Sequence, residues 1–253
     1  MKTKTEAIVL HSVKYGEAKL IVDTFTRTHG RLSFVVPVSR SQKAKLKKQY
    51  FQPLTLLSVE CDVRPQRQLQ TMQDAVISSP YTTLLTEPSK LAIALFVAEF
   101  LYYALKGEQQ DSLLFDYVRS SMEWLDQCPA NYANFHLVFL MHLSRFLGFY
   151  PNLEVRGEEK EVRGEKGEVR GEYFDLREGR FCNNPPVHRD FLMPQEASRI
   201  HLMMRMNYPT MHVFRLSRAD RNRTLEIIEH YYRLHLPQFP ELRSLPVLRE
   251  LFQ

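Results

Sequence analysis

The residues of this chain whose types and spacing could do chemistry are cationic and aromatic. Arg40, Lys43, Lys45, Lys47 and Lys48 crowd into one short segment, and Tyr50 and Phe51 follow directly. Cations at that density neutralise phosphates and release condensed counterions, while aromatic rings offer planes on which bases stack. Arg31, a little upstream, extends the same expected contact surface. Signatures of catalysis are missing. No Gly-x-x-x-x-Gly-Lys-Ser/Thr loop, Gly-x-Ser-x-Gly elbow or His-Glu-x-x-His occurs, and no cluster of carboxylates suits two-metal hydrolysis. His136 and His142 are spaced so that they do not share a helix face. The chain is therefore read as a binding protein and not an enzyme.

Charge distribution sharpens this reading. Residues 1–79 hold 13 Lys and Arg against 6 Asp and Glu, whereas the remainder holds 21 against 23. All of the net charge of +5 thus originates in the first third, which points to a polyanionic partner. Three cysteines, Cys61, Cys128 and Cys182, are far apart and form no Cys-x-x-Cys pair. That excludes a disulfide framework and a cysteine-rich metal site. The apolar run from Leu91 to Leu105 is broken by Glu99 and is too short to span a bilayer, and the polar N-terminus has no signal-peptide character. A cytoplasmic protein without membrane contact is expected.

The elements that must position the basic segment are strands. Glu6–Val13, Lys19–Thr26, Arg31–Val36, Leu54–Val63 and Leu69–Ile77 are rich in β-branched and apolar residues, with turns at Gly16 and Gly30. Five strands in so short a span fit a closed barrel, of which the OB-fold is the common five-stranded form. The basic segment then lies between the third and fourth strands, as a loop on the barrel. From Glu87 onward the apolar spacing becomes helical. Helices are predicted from Pro88, with Thr86 as candidate N-cap, to about Leu105; from a cap at Asp111 or Ser112 to Leu125; from about Tyr132 to Leu147, closed by Gly148; near Gln195; and from about Val213 to Leu236. Between the third and fourth of these, Val-Arg-Gly-Glu recurs at Val155, Val162 and Val169, with too few apolar residues for a coiled-coil seam, so a solvated insertion is expected. Arg205, Arg215, Arg218, Arg221 and Arg223 cluster near the end, either paired to local acids or forming a second phosphate-contacting patch. The fold class expected is α+β: a barrel over 1–80 and a helical domain over 81–253, with the insertion and a small finger at about 154–190.

Several of these stretches resemble one family. Thr5–Leu10, Tyr15–Val22, Phe25-Thr26-Arg27 and His29–Leu32 resemble the opening of RecO, the bacterial mediator of recombinational repair. Leu147-Gly148-Phe149-Tyr150-Pro151-Asn152-Leu153 resembles the element that closes that family's third helix, and Phe174-Asp175 through Phe181-Cys182 looks like the segment after it. The resemblance implies an OB-fold barrel, a helical domain and an inserted finger. It also implies binding of single- and double-stranded DNA, annealing of complementary strands, and loading of RecA, with RecR, onto strands coated by single-stranded-DNA-binding protein, whose acidic C-terminal tail it contacts. Many members carry two Cys-x-x-Cys pairs in the finger, suited to Zn²⁺. Here only Cys182 remains, so no zinc is expected. For the partner tail, Arg145 is the one cation in the apolar stretch from Phe135 to Leu147; it either contacts the tail's carboxylate or reaches water or an internal acid such as Glu99. The competing reading is an RNA-binding OB-fold protein of translation or RNA processing, whose barrel would look the same.

Overall fold

The computed structural model describes residues 2–37, 46–107, 109–152 and 172–250. The Val-Arg-Gly-Glu repeats lie outside these residues, as do Arg40, Lys43 and Lys45.

β1 (Lys2–Tyr15), β2 (Lys19–Thr26), β3 (Gly30–Pro37), β4 (Leu56–Asp62) and β5 (Leu69–Ser79) close into a barrel in the order β1-β2-β3-β5-β4. Closure depends on β1, which is longer than the sequence pattern indicates. Its first half pairs with β4 from Lys2 to Ile8 and its second half with β2 from Ala7 to Tyr15. A bulge between Val9 and His11 lets the strand bend from one partner to the other. Parallel pairing of Ser33 and Val35 with Leu69 and Thr71 completes the ring. Alternate residues, among them Val9, Val22, Phe34, Val36, Val59 and Met72, fill the interior. This is the OB-fold arrangement expected from the sequence. Gly16 and Gly30 turn the first two hairpins with φ of 66° and 65°, a left-handed conformation that a side chain would strain.

The helices are α1 (Pro88–Ala104), α2 (Ser112–Gln127), α3 (Phe135–Phe146), α4 (Pro194–Arg205), α5 (Arg218–His235) and α6 (Leu245–Arg249). By compactness the chain forms two units, residues 1–130 with 240–253, and residues 131–239. The first unit therefore holds the barrel, α1, α2 and α6. Asp111 caps α2 as predicted, its carboxylate accepting from the Leu114 amide at 2.9 Å. Pro88 begins α1, but its N-cap is Glu87 and not Thr86, whose hydroxyl donates instead to the Thr82 and Thr83 carbonyls.

Within this unit the barrel is tied to its helices by charge. Asp126, near the end of α2, accepts the amide hydrogens of Thr82, Thr83 and Leu84 at 3.0, 2.8 and 2.7 Å. Lys90, buried on α1, donates to Thr83 Oγ1 at 2.6 Å and to the Asp126 carbonyl at 3.1 Å. On another side, Glu6 of β1 bridges Arg27 at 2.9 Å and Arg119 at 2.7 Å, and Arg27 reaches Asp116 at 2.8 Å.

The second unit packs α3, α4 and α5 with a small sheet of order β7-β6-β8, made of β6 (Tyr173–Asp175), β7 (Arg180–Cys182) and β8 (Phe191–Leu192). Gly148, with φ of 84°, ends the turn after α3 and directs Phe149 against Tyr231, Tyr232 and His235. The Tyr231 hydroxyl donates to the Phe149 carbonyl at 2.6 Å. His136 is fully enclosed. Burial, aided by the Arg221 charge, pushes its pKa down to about 3, so it packs as a neutral ring. α5 starts at Arg218, later than the Val213 expected, because Ser217 supplies the cap by accepting from the Asp220 amide at 3.1 Å.

Asp126→Ala should lower the unfolding free energy by about 3 kcal/mol or more, since three amide donors lose their acceptor. Burial would raise this carboxyl, but the Thr82, Leu84 and Thr83 amides outweigh it and hold the carboxyl below its ordinary value. Its contribution is then fully present above the unfolded value of about 4 and is lost as pH falls through the depressed one. Denaturant midpoints between about pH 6 and pH 2 should therefore drop less in Asp126→Asn than in the wild type.

Candidate nucleic-acid interface

The described end of the basic segment is pinned by two apolar anchors. Leu46 and Phe51 both belong to the barrel core, and a short 3-10 turn over Lys48–Phe51 joins them. Between the anchors Lys47 is half-buried and Lys48 exposed, which holds their ammonium groups at the barrel surface. Tyr50 packs partly against the core and keeps part of its ring in solvent.

Two sequence expectations need correction. Phe51, expected as a stacking platform, is 1% exposed and fills the barrel interior, so no base can reach its ring. Arg31, expected to contact phosphate, is committed within the protein. Its guanidinium lies 4.5 Å over the Tyr102 ring, donates to the Tyr102 carbonyl and approaches Asp23 at 4.0 Å. With its side chain only 15% exposed, it anchors α1 to β3.

The barrel offers a surface that the sequence reading missed. Direct cross-strand partners lie on one side of a sheet, and the pairs Val13–Ile21, Ile21–Val35 and Tyr15–Lys19 make one outer face across β1, β2 and β3. Tyr15 is 52% exposed and Val13 46%. Leu69 of β5, opposite Ser33, extends this apolar surface. The β4–β5 loop is held rigid by Gln70, whose side chain accepts from the Arg64 amide and donates to the carbonyls of Arg64 and Arg67. Arg67 remains exposed on that loop. Flat apolar groups with cations beside them can stack bases and hold phosphates. The signal for Tyr15 was the alternation of His11, Val13 and Tyr15; placing the strand end at Val13 assigned Tyr15 to the turn.

In the second unit Arg145 is exposed on α3. It donates to the Tyr150 hydroxyl at 2.9 Å and lies 4.1 Å over that ring. In the first unit, Glu99 accepts from the amides of Arg243 and Ser244 at 3.0 and 2.8 Å. Among the clustered arginines, Arg223 is held by Glu196 at 2.6 Å and Arg221 donates to the Leu216 carbonyl at 2.6 Å. Asp220 is taken by Arg199 at 2.8 Å. Local acids and carbonyls thus occupy much of that cluster, while Arg205 and Arg215 stay exposed.

The architecture defines the class as an OB-fold barrel protein extended by helices. Sequence comparison gives the family. The profile described as Recombination protein O N terminal matches residues 1–81, and Recombination protein O C terminal matches residues 85–246. The chain is 49% identical over 252 residues to the DNA repair protein RecO of Phocaeicola vulgatus, and 48% over 253 residues to that of Bacteroides fragilis, with 100% of each chain covered. It is 34% identical over 250 residues to that of Porphyromonas gingivalis, covering 98% of both chains. The chain belongs to the RecO family of DNA repair and recombination proteins. The family profiles meet between residues 81 and 85, where the barrel ends, whereas the compact units divide at 130 because α1 and α2 pack with the barrel.

Phe51→Ala should act on stability and not selectively on binding. Removing this buried ring should cost about 3–5 kcal/mol of unfolding free energy, measured by denaturant titration. A variant as stable as the wild type would show that the ring is dispensable to the barrel.

Proposed function

We propose that this chain binds single- and double-stranded DNA without sequence preference and anneals complementary strands. With RecR it would help load RecA onto strands coated by single-stranded-DNA-binding protein, acting in the cytoplasm on chromosomal DNA. The observation that carries the DNA-binding part is the pinning of Lys47 and Lys48 at the barrel surface by Leu46 and Phe51, on a barrel whose outer face exposes Tyr15, Val13 and Lys19. Phosphate contacts from Arg40, Lys43, Lys45, Lys47 and Lys48 supply affinity that does not depend on sequence, and Tyr15 and Tyr50 supply stacking. Membership of the RecO family supports the mediator role and the partners.

The protein acts by binding and not by catalysis. No zinc is needed, because Cys182 alone cannot supply a tetrahedral ligand set. Arg145 takes the carboxylate of the partner protein's acidic tail. Its aromatic neighbour Tyr150 leaves the guanidinium exposed and oriented for that contact. No helix among the described residues is long and apolar enough to cross a membrane.

Neutralising Lys43, Lys45, Lys47 and Lys48 together should weaken binding to unrelated single strands equally and flatten the salt dependence by about one unit of slope per lost contact. Tyr15→Ala should cost about 1–3 kcal/mol in single-strand affinity without moving the melting temperature. Strand annealing with and without a single-stranded-DNA-binding protein tests the mediator reading, and matched RNA strands serve as competitors. Unchanged salt slopes, or tighter binding of the RNA, would refute it.

A further inference from the structure

β5 begins with a polar residue at a position where the barrel interior would take an apolar one. Direct cross-strand partners share a face, and Gln70 pairs with the core residue Phe34, so its side chain belongs to the inner side. Gln70 is 4% exposed, and Met72, the next inward residue, is part of the core. The buried amide is used by the loop that precedes it. Its Oε1 accepts from the Arg64 amide at 2.9 Å, and its Nε2 donates to the Arg64 carbonyl at 2.9 Å and to the Arg67 carbonyl at 2.6 Å. The Arg67 amide donates in turn to the Arg64 carbonyl at 3.0 Å, closing a turn with Pro65 at its second position. One buried side chain thus holds both ends of an exposed turn.

The turn carries two arginines with different duties. Arg64 is held by Asp62 at 2.9 Å, whereas Arg67 is exposed and makes no ion pair among the described residues. Two residues after Arg67, Leu69 is 38% exposed, and Leu69 and Thr71 lie opposite Ser33 and Val35. The outer face of Val13, Ile21, Val35 and Tyr15 continues from there. Arg67 therefore stands at the Leu69 edge of an apolar platform, and Lys19 stands at its Tyr15 edge. Along β2 the two edges correspond to Asp23 and Lys19, about 13 Å apart at about 3.3 Å per residue. That leaves room for a short run of bases between two cations.

We propose, on the DNA-binding reading above, that Gln70 is a positioning residue for strand selectivity: by fixing Arg67 beside this platform it favours single-stranded DNA over duplex. Unpaired bases present their flat faces to an apolar surface, whereas in a duplex those faces are stacked on one another. The basic segment contacts phosphates and treats both forms alike. A phosphate contact made from a mobile loop loses affinity to the ordering of that loop on binding. Gln70 removes this cost, because the turn is already ordered in the free protein. Gln70 itself touches no nucleotide and acts through Arg67.

The test uses the full chain with a fluorescein-labelled thymidine oligonucleotide and a labelled duplex of the same length, titrated by fluorescence anisotropy over a range of salt. Arg67→Ala should weaken single-strand binding about fivefold and lower its salt slope by about 0.7, the share of one phosphate contact, while duplex affinity stays within about twofold. Arg67→Lys should keep most of the single-strand affinity. Gln70→Met, similar in length but unable to make the three bonds, should reproduce the Arg67→Ala loss, and the double variant should be no weaker than the weaker single one. A purely structural Gln70 would instead lower single-strand and duplex affinity in parallel, or add its loss to that of Arg67→Ala, and either result overturns the proposal. Pro65→Gly loosens the same turn at an exposed site and carries the test if Gln70→Met does not fold; it should weaken single-strand binding only where Arg67 is present. Wild-type protein that binds the oligonucleotide but is indifferent to Arg67→Ala would overturn this role alone, whereas absence of binding by the wild type would overturn the DNA-binding reading with it.

Discussion

The interaction on which the first unit depends is the carboxylate of Asp126 held against the chain leaving the barrel. Thr82, Thr83 and Leu84 present three consecutive amides that no strand satisfies, because β5 has ended at Ser79 and α1 has not begun. Buried donors without acceptors are expensive, and one carboxylate at the end of α2 takes all three. Lys90 then neutralises the neighbourhood from α1, with Glu87 at 3.7 Å as its acid. The exit from the barrel, the start of the first helix and the end of the second are thereby fixed relative to one another. Arg31 over Tyr102 and Glu6 between Arg27 and Arg119 add ties from β3, β1 and the β2–β3 turn. Glu6 and Arg27 lie in stretches that carry the family resemblance, and here they join barrel to helix.

The barrel and most of the helices were legible in the sequence because their signals are local. β-branched alternation, turn glycines and three-to-four apolar spacing each act within a few residues, and all five strands and the caps at Asp111 and Gly148 follow from them. What failed to show was three-dimensional. Phe51 beside a lysine cluster reads as a surface platform, yet the ring closes the barrel core. Arg31 reads as a free cation, yet its partner Tyr102 is far along the chain. Tyr15 reads as a turn residue, yet β1 extends to it because β2 offers Lys19 as a partner.

The small sheet of the second unit is held by rings and carboxylates. Phe174 and Phe181 meet edge to face at 4.9 Å, and Tyr231 covers Phe174. Asp175 accepts the amides of Arg177 and Glu178 at 2.9 and 3.1 Å, closing the turn, and lies 3.3 Å from the His188 ring. Asp190 pairs with Arg177 at 2.6 Å and with His230 at 3.1 Å. Aromatic packing and carboxylate-centred hydrogen bonds thus hold these three strands together. Gly179, whose Cβ position would come within 2.5 Å of the Tyr231 hydroxyl, lets β6 and β7 approach α5 this closely.

Net charge alone does not locate a binding surface, because several of these cations are already paired within the protein. Arg27, Arg119, Arg177, Arg199 and Arg223 have acidic partners within 3 Å, and their fields are largely cancelled locally. Lys19, Lys48 and Arg67 make no ion pair among the described residues, and all three belong to the barrel. Arg145 and Arg243 are two such cations away from it, each beside an aromatic or apolar surface. A phosphate or carboxylate approaching the molecule is attracted by these unspent charges, since a cation already paired offers little further field. A polyanion of any sequence that meets the barrel would gain most from its unpaired cations, Lys19, Lys48 and Arg67 among them.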